Sequence, residues 1–206
     1  MSRSSSLRVG IDLDNTIVSY EKAFDELALR RGLIEPARRR GRLALRDELR
    51  RSGREDVWTE LQGEVYGAQM PTASAFEGAL DFIDDCLRRD VTVFIVSHRT
   101  RQPYHGQPSD LHAAARRWLE RNGFVSSARL APDEVFLELT REDKLSRIEA
   151  LRCTHFIDDL PDLLSDAQFP QRTVPILFDP GDTAGASRLQ RLRSWSEASA
   201  MILGER

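Results

Sequence analysis

Apolar runs in this 206-residue sequence end repeatedly in carboxylates, a hydroxyl and an ammonium, side chains that can do chemistry. Residues 7–13 (LRVGIDL) lead into Asp12-Leu13-Asp14-Asn15-Thr16, and 91–96 (VTVFIV) into Ser97-His98-Arg99. Residues 135–139 are followed by Thr140-Arg141-Glu142-Asp143-Lys144, and 154–157 by Asp158-Asp159. Two carboxylates two residues apart at a strand end can face one pocket, where their mutual repulsion calls for a cation. Mg²⁺ suits such a set, because it prefers oxygen ligands, keeps several waters and needs only two or three carboxylates. A transferring phosphoryl group in turn needs its equatorial oxygens held by amides, a hydroxyl and a cation. Each residue alone has a plainer reading: aspartate as a helix cap, serine as turn chemistry, Lys144 as a solvated helix residue. Their joint recurrence at strand ends favours chemistry. Lys22 and Lys144 are the only lysines, so in a chain that writes its other cations as arginine the compact ammonium of Lys144 stands out.

The runs are apolar nearly throughout, as strands covered on both faces must be. A fifth lies at 173–178, and helical patterns near 76–89, 109–121, 142–151 and 161–167 separate them. This alternation predicts an α/β fold with a doubly wound parallel sheet, which gathers ligands at the carboxyl ends of its strands. Asn122-Gly123 supplies a helix stop. Residues 18–70 break the alternation with helical patterning alone, and are read as a small helical cap inserted after the first strand, over the sheet's carboxyl edge. The core is then 7–17 and 71–206, with 1–6 a disordered N-terminus. From Ser187, Leu189, Leu192, Trp195 and Ile202 fall at near-helical spacing and predict a docking helix.

Composition narrows the classes. Hydrophobic residues at 40% and charged residues at 31% describe a globular chain, and no apolar stretch approaches the length of a membrane span. A net charge of −3 gives no general case for nucleic-acid binding. Cys86 and Cys153 show no metal or disulfide spacing and read as small buried residues. A reduced, cytoplasmic protein of open oligomeric state is expected. Ten arginines between Arg30 and Arg54, including Arg38, Arg39 and Arg40, face only Glu35, Asp47 and Glu48 in that stretch. They read either as a solvated helical face or as a stripe that recruits an anionic substrate.

In order and context the four motifs resemble the haloacid dehalogenase-like (HAD) superfamily: DLDNT at 12–16, Ser97, Lys144 and the acids of FIDDLPD at 156–162. The resemblance spans about residues 7–180 and implies a HAD-like core. It implies Asp12 as nucleophile, Asp14 as general acid and base, and Ser97, the His98 amide and Lys144 as phosphoryl holders. It further implies Mg²⁺ held by Asp12, Asp14, Asp158 and Asp159, with Asp159 favoured over Asp158. Asp162 follows Asp159 by three residues where members often carry an acid after four. An acid at Asp14 favours phosphatases over dehalogenases, since a halide leaving group needs no proton and an alkoxide does. The implied activity is phosphomonoester hydrolysis of a small phosphorylated metabolite. The segments IDLDNT, SHRT and IDD-x-PD look closest to deoxyribonucleotidase-like members, and a sugar phosphate is an equal candidate. A phosphotransferase or mutase, and a non-enzymatic phosphate-binding regulator, stay open. Phosphonate-cleaving relatives use a cap lysine, for which Lys22 is the sole candidate, though a surface lysine is the default. The loop at 99–108 leaves the active edge and offers Arg99, Arg101 and Tyr104 as possible substrate contacts.

Overall fold

The computed structural model describes residues 7–35, 41–185 and 188–204. The N-terminal six residues and Arg38, Arg39 and Arg40 lie outside the described residues. In chain order the structure runs β1 (Arg8–Ile11), β2 (Val18–Ser19), α1 (Glu21–Arg30), α2 (Gly41–Arg51), α3 (Glu55–Tyr66) and β3 (Ser74–Ala75). It continues α4 (Ala79–Arg88), β4 (Thr92–His98), α5 (Leu111–Arg121), β5 (Val135–Glu138) and α6 (Arg141–Ala150). The last elements are β6 (His155–Asp158), α7 (Pro161–Leu164), β7 (Val174–Phe178) and β8 (Gln190–Leu192).

Two compact units result. The first holds the chain up to Ile17, Ala75–His98 and everything from Gly123 onward. Its centre is a six-stranded sheet in the order β5-β4-β1-β6-β7-β8, parallel throughout. The order reverses at β1, with β4 and β5 on one side and β6 to β8 on the other, so the carboxyl end of β1 is the switch point where such sheets bind ligands. This is the doubly wound α/β architecture expected from the alternating runs.

Register explains which side chains meet. Gly10 pairs with Phe94 on β4 and with Phe156 on β6. Those two rings join Val96, Leu145, Ile148, Leu163, Leu164 and Leu177 in one core cluster under α6 and α7. A Cβ on Gly10 would stand 2.5 Å from a Phe156 ring carbon, so the missing side chain lets the ring close over β1. The opposite face is aromatic: Trp195 packs on Phe82 at 5.4 Å and Phe178 at 5.3 Å, between ring centroids.

The C-terminal segment differs from the docking helix expected there. Its apolar residues Leu192, Trp195 and Ile202 are buried, but strand β8 and two short helical turns carry them. A strand pairs with the outer edge of β7 and satisfies its backbone groups, which a helix would leave open.

The second unit holds Val18–Ser74 together with Arg99–Asn122. Residues 71–74 and 99–122, assigned to the core by sequence patterning, thus group with the helical insertion. The reason lies in specific contacts: the Trp118 indole donates to the Ala73 carbonyl at 3.0 Å, and Gly63 of α3 lies so close to Pro103 that a Cβ would sit 2.7 Å from its ring. Phe24 of α1 stacks on Trp58 of α3 at 4.9 Å.

The arginine stripe proves to be largely paired where it is described. Arg31 donates to Glu60 and Glu64 at 3.1 and 2.6 Å, and Arg50 to Glu55 at 2.7 Å. Glu21 of α1 accepts from the Arg42 backbone amide at 2.6 Å and so caps α2.

Gly10→Ala is expected to lower stability by about 1–3 kcal/mol, the usual scale for overpacking a tight core. Urea unfolding measures it directly, and a loss below about 0.5 kcal/mol would mean the Phe156 ring can move aside freely.

Candidate active site

Period-two alternation builds the site from the core upward. Side chains two residues apart on a strand share a face. Asp12 follows Gly10 by two, Asp158 follows Phe156 by two and His98 follows Val96 by two, which brings all three to the α6 face at the carboxyl edge. The Asp12 amide continues the ladder by donating to the Ile157 carbonyl at 2.8 Å. Helix α6 is capped by Thr140, whose hydroxyl oxygen accepts from the Asp143 amide at 3.1 Å. Lys144 lies one turn before Ile148 and shares its buried face, so its stem enters the core.

The ammonium of Lys144 is fully buried and donates to Asp12 Oδ1 at 2.5 Å and to Asp158 Oδ2 at 2.7 Å. It also stands 5.4 Å over the Phe156 ring. Asp158 Oδ1 accepts from the Leu160 amide at 2.9 Å, so each of its oxygens has one protein partner and a lone pair to spare. Asp12, Asp158 and Asp159 place one carboxylate oxygen each within 4.8 Å of one another.

Burial pushes the Asp12 carboxyl up to about 7, against the pull of Lys144 and with Asp158 and Asp14 adding to the rise. Burial opposes the charge on Lys144 too, but its two carboxylate partners outweigh that and hold it above the ordinary lysine range. Three converging carboxylates face one ammonium. A hard divalent cation balances that excess, and the all-oxygen donor set fits Mg²⁺.

Asp14 is the site's other acid. Its carboxylate is outside the converging three and accepts from the Ser97 hydroxyl at 3.4 Å. Asn15 beside it takes a positive φ of 60°, which swings the chain out of the sheet. His98 is half-buried, and its Nδ1 is buried with no hydrogen-bond partner among the described residues. Burial first, then Lys144, holds its imidazole below the usual histidine range.

The 99–108 loop is split by burial. Arg99 turns inward within the second unit, donating to the Tyr20 hydroxyl at 3.1 Å and the Leu111 carbonyl at 3.2 Å, with its guanidinium 5.5 Å from the Tyr66 centroid. It is a strut of that unit and is not displayed with its neighbours. Arg101 is exposed and stands 3.5 Å from Asp110, while Tyr104 is 79% exposed. Lys22 is exposed and pairs with Glu26 at 3.7 Å, the ordinary surface role. Cys86 and Cys153 are free, buried thiols, and burial raises both.

Two contributions escaped the sequence reading. Gly10 makes room for the ring beneath Lys144, and an internal glycine in a strand is the signal of such an approach. The other is Trp195, whose indole reaches the turn after β1. Nothing in its local sequence marks that contact.

No protein-family model matches the sequence, and no curated protein matches it. Solved structures do. A HAD-superfamily hydrolase from Ehrlichia chaffeensis aligns over 98% of each chain with a TM-score of 0.55 and 12% identity. The putative HAD-hydrolase YfnB from Bacillus subtilis, bound to magnesium, aligns over 96% of this chain and 98% of its own, with a TM-score of 0.56 and 13% identity. A HAD family hydrolase from Deinococcus radiodurans, with bound phosphate and sodium, covers 95% of this chain and 94% of its own, with a TM-score of 0.56 and 15% identity. A chain described as a dehalogenase shares the architecture too. The fold of this protein is that of the haloacid dehalogenase-like hydrolases. Among the described residues, no helix is long and apolar enough to cross a membrane.

The raised Asp12 fixes a pH response. Between 3.8 and about 7 the folded chain keeps a proton on Asp12 that the unfolded chain has lost. The stability this contributes is full below the unfolded value and is lost as pH rises through the folded one. In EDTA, Tm should therefore fall as pH rises through this window, and Asp12→Asn should flatten the fall. Scanning calorimetry across the window checks it; an equal slope in Asp12→Asn would assign the response to other groups.

Proposed function

We propose that this protein is a Mg²⁺-dependent phosphomonoester hydrolase that works through a phospho-aspartyl intermediate on Asp12. The observation that carries this reading is an acid, Asp14, hydrogen-bonded to Ser97 at the edge where Lys144 joins Asp12 to Asp158. A nucleophile, a proton donor and a buried cation are the parts that displacement at phosphorus with an alkoxide leaving group needs. The fold favours a hydrolase. The phosphate and the magnesium named for two proteins of this fold agree with the reading.

Lys144 fixes Asp12 Oδ1, which leaves Oδ2 to attack phosphorus as the bond to the ester oxygen breaks. Asp14 gives its proton to the departing oxygen, so an alcohol leaves and an acyl phosphate remains on Asp12. Asp14, now a carboxylate, takes a proton from water, whose oxygen attacks phosphorus and releases phosphate with Asp12 restored. The Ser97 hydroxyl, the His98 amide and the Lys144 ammonium hold the phosphoryl oxygens. Asp12, Asp158 and Asp159 would hold Mg²⁺, which when bound neutralises charge on the phosphoryl oxygens.

The substrate class proposed is a small phosphorylated metabolite, with nucleoside monophosphates and sugar phosphates the two groups to screen. A phosphotransferase of the same chemistry differs only in the acceptor of the second step, and appears as a phosphorylated product where a hydrolase yields free phosphate. A cytoplasmic setting is proposed as well, on two cysteines that are free and buried.

Asp12→Asn should abolish turnover of p-nitrophenyl phosphate by at least about 10³-fold while the chain stays folded, since the amide cannot act as nucleophile. Released phosphate and circular dichroism check this together; substantial residual turnover would remove Asp12 from the chemistry. Asp14→Asn should slow both half-reactions, with the smaller effect on phosphorylation by substrates with good leaving groups. Rapid-quench measurement of phosphorylated protein with p-nitrophenyl and alkyl phosphates tests it. Equal losses for both would mean that Asp14 does not protonate the leaving oxygen.

A further inference from the structure

We propose that Trp195 is a positioning residue for the turn that carries Asp14, which makes the C-terminal segment part of the catalytic apparatus; this rests on the role given to Asp14 above. The turn over residues 13–17 is closed by the Ile17 amide donating to the Leu13 carbonyl at 3.1 Å. Beyond it, the Phe76 amide donates to the Ile17 carbonyl at 2.9 Å. The Thr16 carbonyl points into the protein and accepts from the Trp195 indole Nε1 at 3.1 Å, a buried bond between residues 179 apart in sequence.

Other features of this turn make that bond matter. The Thr16 hydroxyl is buried and has no hydrogen-bond partner among the described residues, so this residue is tied to its surroundings through its carbonyl and not its hydroxyl. Asp14 sits two residues before Thr16 within this turn, and its carboxylate accepts from the Ser97 hydroxyl at 3.4 Å. Asn15 holds a positive φ of 60°, a left-handed conformation that asparagine tolerates and that sets the sharp bend of the turn. Trp195 itself is held firmly, between Phe82 and Phe178 and against Gly78, where a Cβ would stand 3.1 Å from the Trp195 Cβ.

A buried carbonyl that loses its donor must find another, and the turn is the part able to shift. Displacements of an ångström at a reacting group are enough to slow catalysis strongly. Substrate binding, which uses Ser97, the His98 amide and Lys144, does not depend on the indole.

The test is Trp195→Phe in the full chain, which keeps an aromatic ring and removes the N–H. Amides of residues 13–17 should exchange with deuterium at least about tenfold faster, with β4 and β6 still protected, because one hydrogen bond is worth about that factor. With Mg²⁺ present, kcat for β-glycerophosphate should fall about tenfold and kcat for p-nitrophenyl phosphate clearly less, with KM little changed. Trp118→Phe is the matched control: it removes an indole donor to the Ala73 carbonyl and should leave exchange at 13–17 unaltered. Unchanged exchange at 13–17 in Trp195→Phe overturns the proposal, as does faster exchange with kcat unaltered or lost equally for both substrates. If Trp195→Phe does not fold, benzothienylalanine at position 195 keeps the shape without the donor and gives the same readings. If the parent protein hydrolyses no phosphomonoester, the functional reading fails separately, and exchange at 13–17 alone decides whether Trp195 holds the turn.

Discussion

A single buried ammonium, shared between two carboxylates from different strands, is the constraint around which the first unit is arranged. Lys144 joins Asp12 and Asp158 at 2.5 and 2.7 Å with none of its own side chain exposed. Charges buried to this degree are tolerable only when paired in good geometry, and removing one partner typically destabilises by about 3–5 kcal/mol. Helix α6 must therefore sit at one height over the sheet, and β1 and β6 must hold one register. The same arrangement sets three converging carboxylates against one ammonium, an excess of negative charge that suits a cation.

What permits the ammonium to reach that point is an absence of side chain. Gly10 lies in register between Phe94 and Phe156, and the rings cover the position where a Cβ would stand. Phe156 then forms the floor under Lys144, while Leu145 and Ile148 bring α6 down onto the same cluster. Core packing and site geometry are thus one problem on this face. On the other face the aromatic group around Trp195 does comparable work for the turn after β1, linking the last strand's continuation to the first strand's end.

The second unit solves a different problem with arginine. Arg99 is buried among Tyr20, Tyr66 and Leu111, where the plane of its guanidinium can both stack and donate. Pairs such as Arg31 with Glu60 and Glu64 link the end of α1 to α3. Exposed pairs of this kind contribute under about 1 kcal/mol each, so their value lies in fixing helix register and in leaving less net charge than the sequence suggests.

The sequence by itself determined the strand-forming runs, the parallel sheet and the residues at its carboxyl edge, because burial on both faces writes continuous apolar runs and carboxylates at their ends are conspicuous. Asp12, Lys144 and Asp158 meet at that edge, and Asp14 is hydrogen-bonded to Ser97. Only tertiary structure decided the rest. Leu192, Trp195 and Ile202 satisfy a helical spacing and a strand with turns equally well, and the open edge of β7 selected the strand. Arg99 and Arg101 are two residues apart in one loop, yet one is a buried strut and the other exposed, since inward or outward direction depends on what packs nearby. That Asp158 accepts from Lys144 on one oxygen and from the Leu160 amide on the other could not be read from two adjacent acids. Spacing along a chain records which residues can share a face, whereas the partner each one takes is set by register between segments that lie more than a hundred residues apart.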